Sequence, residues 1–290
     1  VKMIGNYAFN GCTSLEKVII PPSVTSLGGN VFEGCTSLTE IELPESITTI
    51  GLSCFKDCTS LAKISCPSLL SIPNFTFCNC TSLKEFEISS SAKSIGTSAF
   101  EHCESLINLT LPQGLESINA CAFYFCSSIS SIQIPSSVNF IGKCAFCECT
   151  KLNEIEIPEL IDCIRSLSFK NCALLTNVII PTSVVKIEDN AFEGCIALKS
   201  IIVPSSVNKI GNNVFKNCSS LEEVALPDSL TQIGASEFTN CKSLKKVEIP
   251  NTINIIGSFA FSDCSNLSSI FIPSSVESIG KCAFSDCSSL

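Results

Sequence analysis

The 290-residue chain has no tryptophan, one methionine, one histidine (His102) and one arginine (Arg165). So little histidine and arginine leaves few groups for acid–base chemistry or phosphate clamping, and no glycine-rich phosphate loop is present. Acidic residues fall where the repeat described below points side chains outward, and no serine has a basic partner to activate it. These absences predict a protein that is not an enzyme and has no catalytic residues and no cofactor. Positive charge is also scarce: 18 Lys+Arg against 27 Asp+Glu give a formal charge of −9, and no basic cluster could neutralise a run of phosphates. That argues against a nucleic-acid partner. Long apolar runs are missing too, because isoleucines and valines alternate with polar residues or stop at proline, short of the roughly 20 residues that span a bilayer. No signal-peptide pattern opens the chain, which begins and ends inside a repeat and reads as a segment of a longer protein.

What is abundant is a single motif. Thirteen phenylalanines, Phe9 to Phe284, are each followed three residues later by cysteine, Cys12 to Cys287, at steps of 23 residues except for 22 between Cys58 and Cys80. A fixed period of this length without a composition shift predicts one solenoid over residues 1–290, about 13 coils, incomplete at both ends. Aligned on cysteine, the unit reads I-G-x-x-A-F-x-x-C-x-S-L-x-x-I-x-I-P-x-S-V-x-x. The alternation in Leu38, Ile41 and Leu43 suits a short strand stacked in a parallel sheet, and proline (Pro21, Pro44, Pro204 and equivalents) ends it by removing a ladder donor. Serine two residues past proline can bond the corner of the adjacent coil. Val24 and Ile50 with their equivalents point inward on the return side, where glycine follows for positive φ or close backbone approach. The Ala-Phe to Cys spacing fits about one helical turn, which makes the expected class α/β. Thirteen coils at about 4.8 Å would stack to about 60 Å.

The motif around Ala8, Phe9, Cys12, Ser14, Leu15, Val18, Ile20 and Pro21 resembles the BspA-like, Treponema-type class of leucine-rich repeats, which occur in surface proteins of bacteria and protozoan parasites. The resemblance covers essentially the whole chain. It implies a right-handed superhelix with parallel strands on the concave face and short helical or turn segments elsewhere. It also implies adhesion or binding of host or matrix protein at a cell surface, or from a secreted segment. Departures are local: Pro73, Asn119 and Arg165 replace the glycine, and Ser89 replaces the proline.

Thirteen of the 21 cysteines occupy one column, where in-register neighbours rarely offer disulfide geometry, so they read as buried thiols. Cys54 and Cys66 fall at core columns. Cys144, Cys147 and Cys149 form C-x-x-C-x-C, but Cys149 belongs to the repeat column and His102 lies two coils earlier, so no metal site is expected. Cys121 and Cys144 share a column in adjacent coils and could oxidise together, while Cys78, Cys147 and Cys163 fall at usually polar columns and are candidates for exposure; the pairing of these and of Cys282 is left open. Five sequons, at Asn74, Asn79, Asn108, Asn217 and Asn266, read as chance matches. A column of outward strand residues is the expected binding surface. Its N-terminal part is acidic, with Glu42, Glu87 and Glu156, and its C-terminal part is apolar, with Ile179, Ile202, Ala225 and Phe271. Competing with the adhesin reading are a self-assembling repeat, with a second copy as partner, and an intracellular scaffold, which suits abundant thiols in a reducing compartment.

Overall fold

A computed structural model describes residues 1–290. The chain divides into two compact units, Val1–Thr150 and Lys151–Leu290. Each is a stack of parallel-strand coils, and every coil runs through two ladders. One ladder carries the motif's x-I-x segment before proline, as in Glu40–Glu42 paired with Lys63–Ser65, or Ser200–Ile202 paired with Glu223–Ala225. The other is the return side, as in Ser26–Leu27 with Thr49–Ile50, or Lys186–Ile187 with Lys209–Ile210. Between the ladders lies an apolar core in which phenylalanine rings stack on their neighbours, with centroids 5.2–5.7 Å apart along Phe9 to Phe146 and 5.3–5.9 Å along Phe169 to Phe284. Such offset pairs add to the area each ring buries.

The expected helical segment is not there, and the α/β assignment is corrected to an all-β solenoid. In every coil the residues two before and two after the phenylalanine have positive φ: Asn30 (57°) and Gly34 (73°) around Phe32, Ser53 (54°) and Asp57 (60°) around Phe55, Asn213 (57°) and Asn217 (64°) around Phe215. Two left-handed residues four apart stop a right-handed helix before its first turn closes. The backbone instead forms i→i+3 turns, such as Cys35 N–H to Phe32 O at 3.0 Å, while alternate amides leave the coil. Asn30, Phe32 and Gly34 donate to Leu52, Cys54 and Lys56 of the next coil at 2.8–2.9 Å. Positive φ does not fall at the glycine after isoleucine. Gly51 and Gly142 are there for closeness: a Cβ would lie 2.2 Å from Gly29 N and 2.4 Å from Ala120 N respectively.

The cysteine column closes the stack. The thiol of Cys58 donates to Phe32 O at 3.1 Å, Cys126 to Phe100 O at 3.1 Å and Cys218 to Phe192 O at 3.2 Å, each reaching back one coil. Twelve of the thirteen column cysteines are buried, and Cys12 of the first coil is exposed. Burial pushes the thiols up, to about 12 for Cys54, Cys218 and Cys264. The corner serines act as expected: Ser46 Oγ donates to Val24 O at 2.6 Å and Ser206 Oγ to Val184 O at 2.7 Å. Ser89 supports the same corner without proline, with Ala92 N–H on Ser89 O at 2.9 Å. The 22-residue coil is one residue short at the corner, where Pro67 and Ser68 lead directly into buried Leu69, and Leu70 N–H bonds Thr48 O in the adjacent coil at 3.2 Å.

Two expectations about polar positions fail. Cys78 and Cys147, candidates for exposure, are buried at 6% and 5%. Not every acidic residue faces outward either. Glu193 is buried against Lys170 Nζ at 2.9 Å and Asn190 Nδ2 at 2.6 Å. Glu237 is 2% exposed in the column that holds Ala99, Ala191 and Ala260, and neither carboxyl oxygen has a hydrogen-bond partner. Desolvation, reinforced by Asp189, pushes the Glu237 carboxyl well above the ordinary carboxylate range. The folded state therefore holds a proton that the unfolded state has lost, so stability falls as pH rises above about 4.5. We expect Glu237→Ala to flatten the stability profile between about pH 5 and pH 8. Urea midpoints across that range would show it, and equal slopes for both proteins would contradict it.

Candidate binding surface on the strand face

The strands of the x-I-x ladder, one residue ahead of the I-x-I triplet, present their first and third residues to solvent and bury the second, as in Glu40, Ile41 and Glu42 or Ser200, Ile201 and Ile202. The third position is the column expected to bind, and its residues do face outward. Ile179 is 55% exposed, Ile202 74% and Phe271 75%, and Ala225, Glu42, Glu87 and Glu156 are exposed as well. Outward isoleucine on so short a strand contributes nothing to the core, since Val178 and Ile201 fill that role.

The strand register keeps these residues in the order in which the repeat lays out the column. In the second unit Glu156 pairs in register with Ile179, and Ile202 with Ala225, so the acidic residue borders the apolar run. Phe271 is set apart by Glu248, which it meets in a parallel bridge. Glu248 is in turn bound to Lys246 Nζ at 2.7 Å, and that hydrogen bond and charge hold its carboxylate below the usual range. Asn177, Ser200 and Glu223 make a polar margin on the neighbouring outward column.

Glu42 and Glu87 belong to the first unit. There Lys63 pairs with Glu40, which Lys17 Nζ also contacts at 2.8 Å. Lys63 lines two shallow depressions, of about 550 and 540 Å³, one bordered by Glu42 and the other by Glu85 and Glu87. The positive charge of Lys63 thus interrupts the acidic stretch. No three His, Cys, Asp or Glu side chains converge to hold a metal. The strand face of the first unit is thus mainly charged, and that of the second carries exposed aliphatic groups.

Outside the strand face, the turns carry an aromatic group not anticipated from the sequence. His102 stacks on Phe125 with centroids 4.6 Å apart, and Tyr124 meets both rings edge-on. The period itself could have revealed it, since Phe125 falls at the same repeat position as His102.

The sequence matches the family profile described as BspA type leucine rich repeat region, in six copies, over residues 1–71, 70–195 and 163–290. The chain belongs to this family. Among solved structures, a leucine rich cell surface protein from Faecalibacterium prausnitzii is 31% identical, with a TM-score of 0.67 over 100% of this chain and 82% of that one. A leucine-rich repeat protein from Bacteroides ovatus is 27% identical, with a TM-score of 0.68 over 100% and 85%. The pneumococcal vaccine antigen PcpA, 23% identical with a TM-score of 0.62 over 97% and 77%, shares the fold. Comparison with curated proteins finds no match. No helix is long and apolar enough to cross a membrane.

Because Ile179 and Ile202 lie outside the core, replacing both with serine should change folding stability by no more than about 0.5 kcal/mol each. Thermal or urea unfolding of the double variant tests this. A loss of several kcal/mol would mean that the side chains support the fold.

Proposed function

We propose that this repeat segment is a non-enzymatic recognition module, displayed at a cell surface or secreted, that binds a host or matrix protein through the strand face of its second unit. The observation carrying the proposal is the contiguous exposure of Ile179, Ile202 and Ala225 beside polar neighbours, since clustered outward aliphatics in a soluble face mark contact surfaces more often than isolated ones do. Family membership and the likeness to a cell surface protein at 31% identity support the location. The cysteine content is compatible with an oxidising milieu. Twelve column thiols are enclosed, and burial pushes those of Cys80, Cys126 and Cys195 well above their ordinary range, so oxidants lack both access and thiolate.

The test is adsorption of the purified segment to a panel of immobilised extracellular matrix proteins, at low salt and at about 0.5 M NaCl, a concentration that screens exposed charges beyond a few ångströms. Binding should survive the salt and be lost in the Ile179→Ser, Ile202→Ser double variant. Binding that survives those substitutions but disappears when Glu42, Glu87 and Glu156 are changed to glutamine would move the site to the acidic residues. Concentration-dependent sedimentation that the serine substitutions abolish, with no matrix binding, would make a second copy of the chain the partner.

A further inference from the structure

Eight cysteines stand outside the repeat column, and two of them occupy equivalent positions in consecutive coils. Cys121 and Cys144 each lie two residues before a repeat phenylalanine, with left-handed φ of 54° and 57°. The backbone holds the positions in register: Cys121 N–H donates to Lys143 O and Phe123 N–H to Ala145 O, both at 2.9 Å. Stacked positions in such a ladder are about 4.8 Å apart. This falls within the Cα separation of about 4.4–6.8 Å that a disulfide spans. Both residues are half-buried, so solvent reaches them, and the Cys121 side chain is hydrogen-bonded to that of Cys144.

Column cysteines such as Cys103 and Cys126 are stacked too, but they differ in both respects. Each sulfur is held on the phenylalanine carbonyl of the preceding coil, Cys103 on Phe77 O at 3.2 Å and Cys126 on Phe100 O at 3.1 Å, and both are fully enclosed. Cys163 pairs in register with Lys186, and Cys282 follows Phe259 in its column, so neither has a stacked cysteine beside it.

We propose that Cys121 and Cys144 form a redox-active pair that closes to a disulfide across two adjacent coils when the protein meets a small-molecule disulfide. One thiol loses its proton to solvent and attacks a sulfur of the oxidant, releasing one thiolate. The second cysteine sulfur, deprotonated in turn, attacks the mixed disulfide, forming the Sγ–Sγ bond and expelling the other thiolate. The protein loses two electrons and two protons, and the oxidant becomes two thiols. Desolvation, with Cys144 and Glu101 nearby, pushes the Cys121 thiol up to about 11 while Lys143 opposes this, so closure is slow at neutral pH. The bridge would fasten the turn side of the first unit, where the ladder bonds are single amides.

The test uses the full chain, reduced and then incubated with oxidised glutathione. Remaining accessible thiols are alkylated, and the tryptic peptides are analysed by mass spectrometry. Cleavage at Lys143 separates the two cysteines, so the bridge appears as a cross-link between the peptides on either side. The expected result is that cross-link in the parent protein, its loss in Cys121→Ser and Cys144→Ser, and one glutathione on Cys144 in Cys121→Ser. Serine already stands in this column at Ser53, Ser98 and Ser236, so the variants keep the turn. A cross-link that persists in Cys121→Ser, or one glutathione on each cysteine of the parent without any cross-link, would overturn the proposal.

Discussion

The carbonyl oxygens of most repeat phenylalanines gather two donors, and the stack depends on that pairing. Phe32 O accepts Cys35 N–H from its own coil at 3.0 Å and the Cys58 thiol from the next at 3.1 Å. The first bond closes the turn and the second fastens it to a neighbour. A carbonyl oxygen has two lone pairs, and a small side chain with a weak donor at its tip fits the available volume and uses the second. Leucine or valine would fill similar space and leave one lone pair without a partner. This accounts for cysteine in a column that a purely apolar requirement would have opened to several residues.

That interaction also frees the strand face. With coils fastened through turns, rings and corner serines, the outward strand positions carry no structural duty beyond compatibility with β backbone. They can hold Glu42 in one coil and Ile202 in another without consequence for the core. Variation along this column is therefore where recognition can be written, while the enclosed thiols remain chemically quiet. Cys121 and Cys144 depart from this rule because they are half-buried and their side chains meet.

The period, the inward positions, the corner serines and the outward strand column were legible in the sequence, since each follows from side-chain size, branching or polarity at a fixed spacing. The turn conformation was not. Its left-handed positions hold asparagine, aspartate, serine and glycine in many coils, which signals φ > 0, but they also hold Tyr7, Phe75, Leu167 and Phe259, which obscure the signal. The Ala-Phe-x-x-Cys spacing then suits a helix equally well. Glu237 was misplaced because a repeat alignment assigns burial by column only where the residue type agrees, and glutamate in an alanine column looked outward by its chemistry. Of the binding face, the exposed column and the order of its residues were readable, whereas the contact of Glu248 with Lys246 and the depressions beside Lys63 needed side-chain positions.

Native-state hydrogen exchange at the repeat phenylalanines tests the account most directly. The amides of Phe55, Phe100 and Phe215 donate to Thr76, Ala122 and Glu237 of the following coil at 2.9, 2.9 and 3.1 Å, although they lie in turns. They should be protected to within about tenfold of the strand amides of Ile201 and Val224, because both sets open only when coils separate. Exchange at the rate of exposed loops, with the strand amides still protected, would show that the turns are not fastened between coils and would contradict the account.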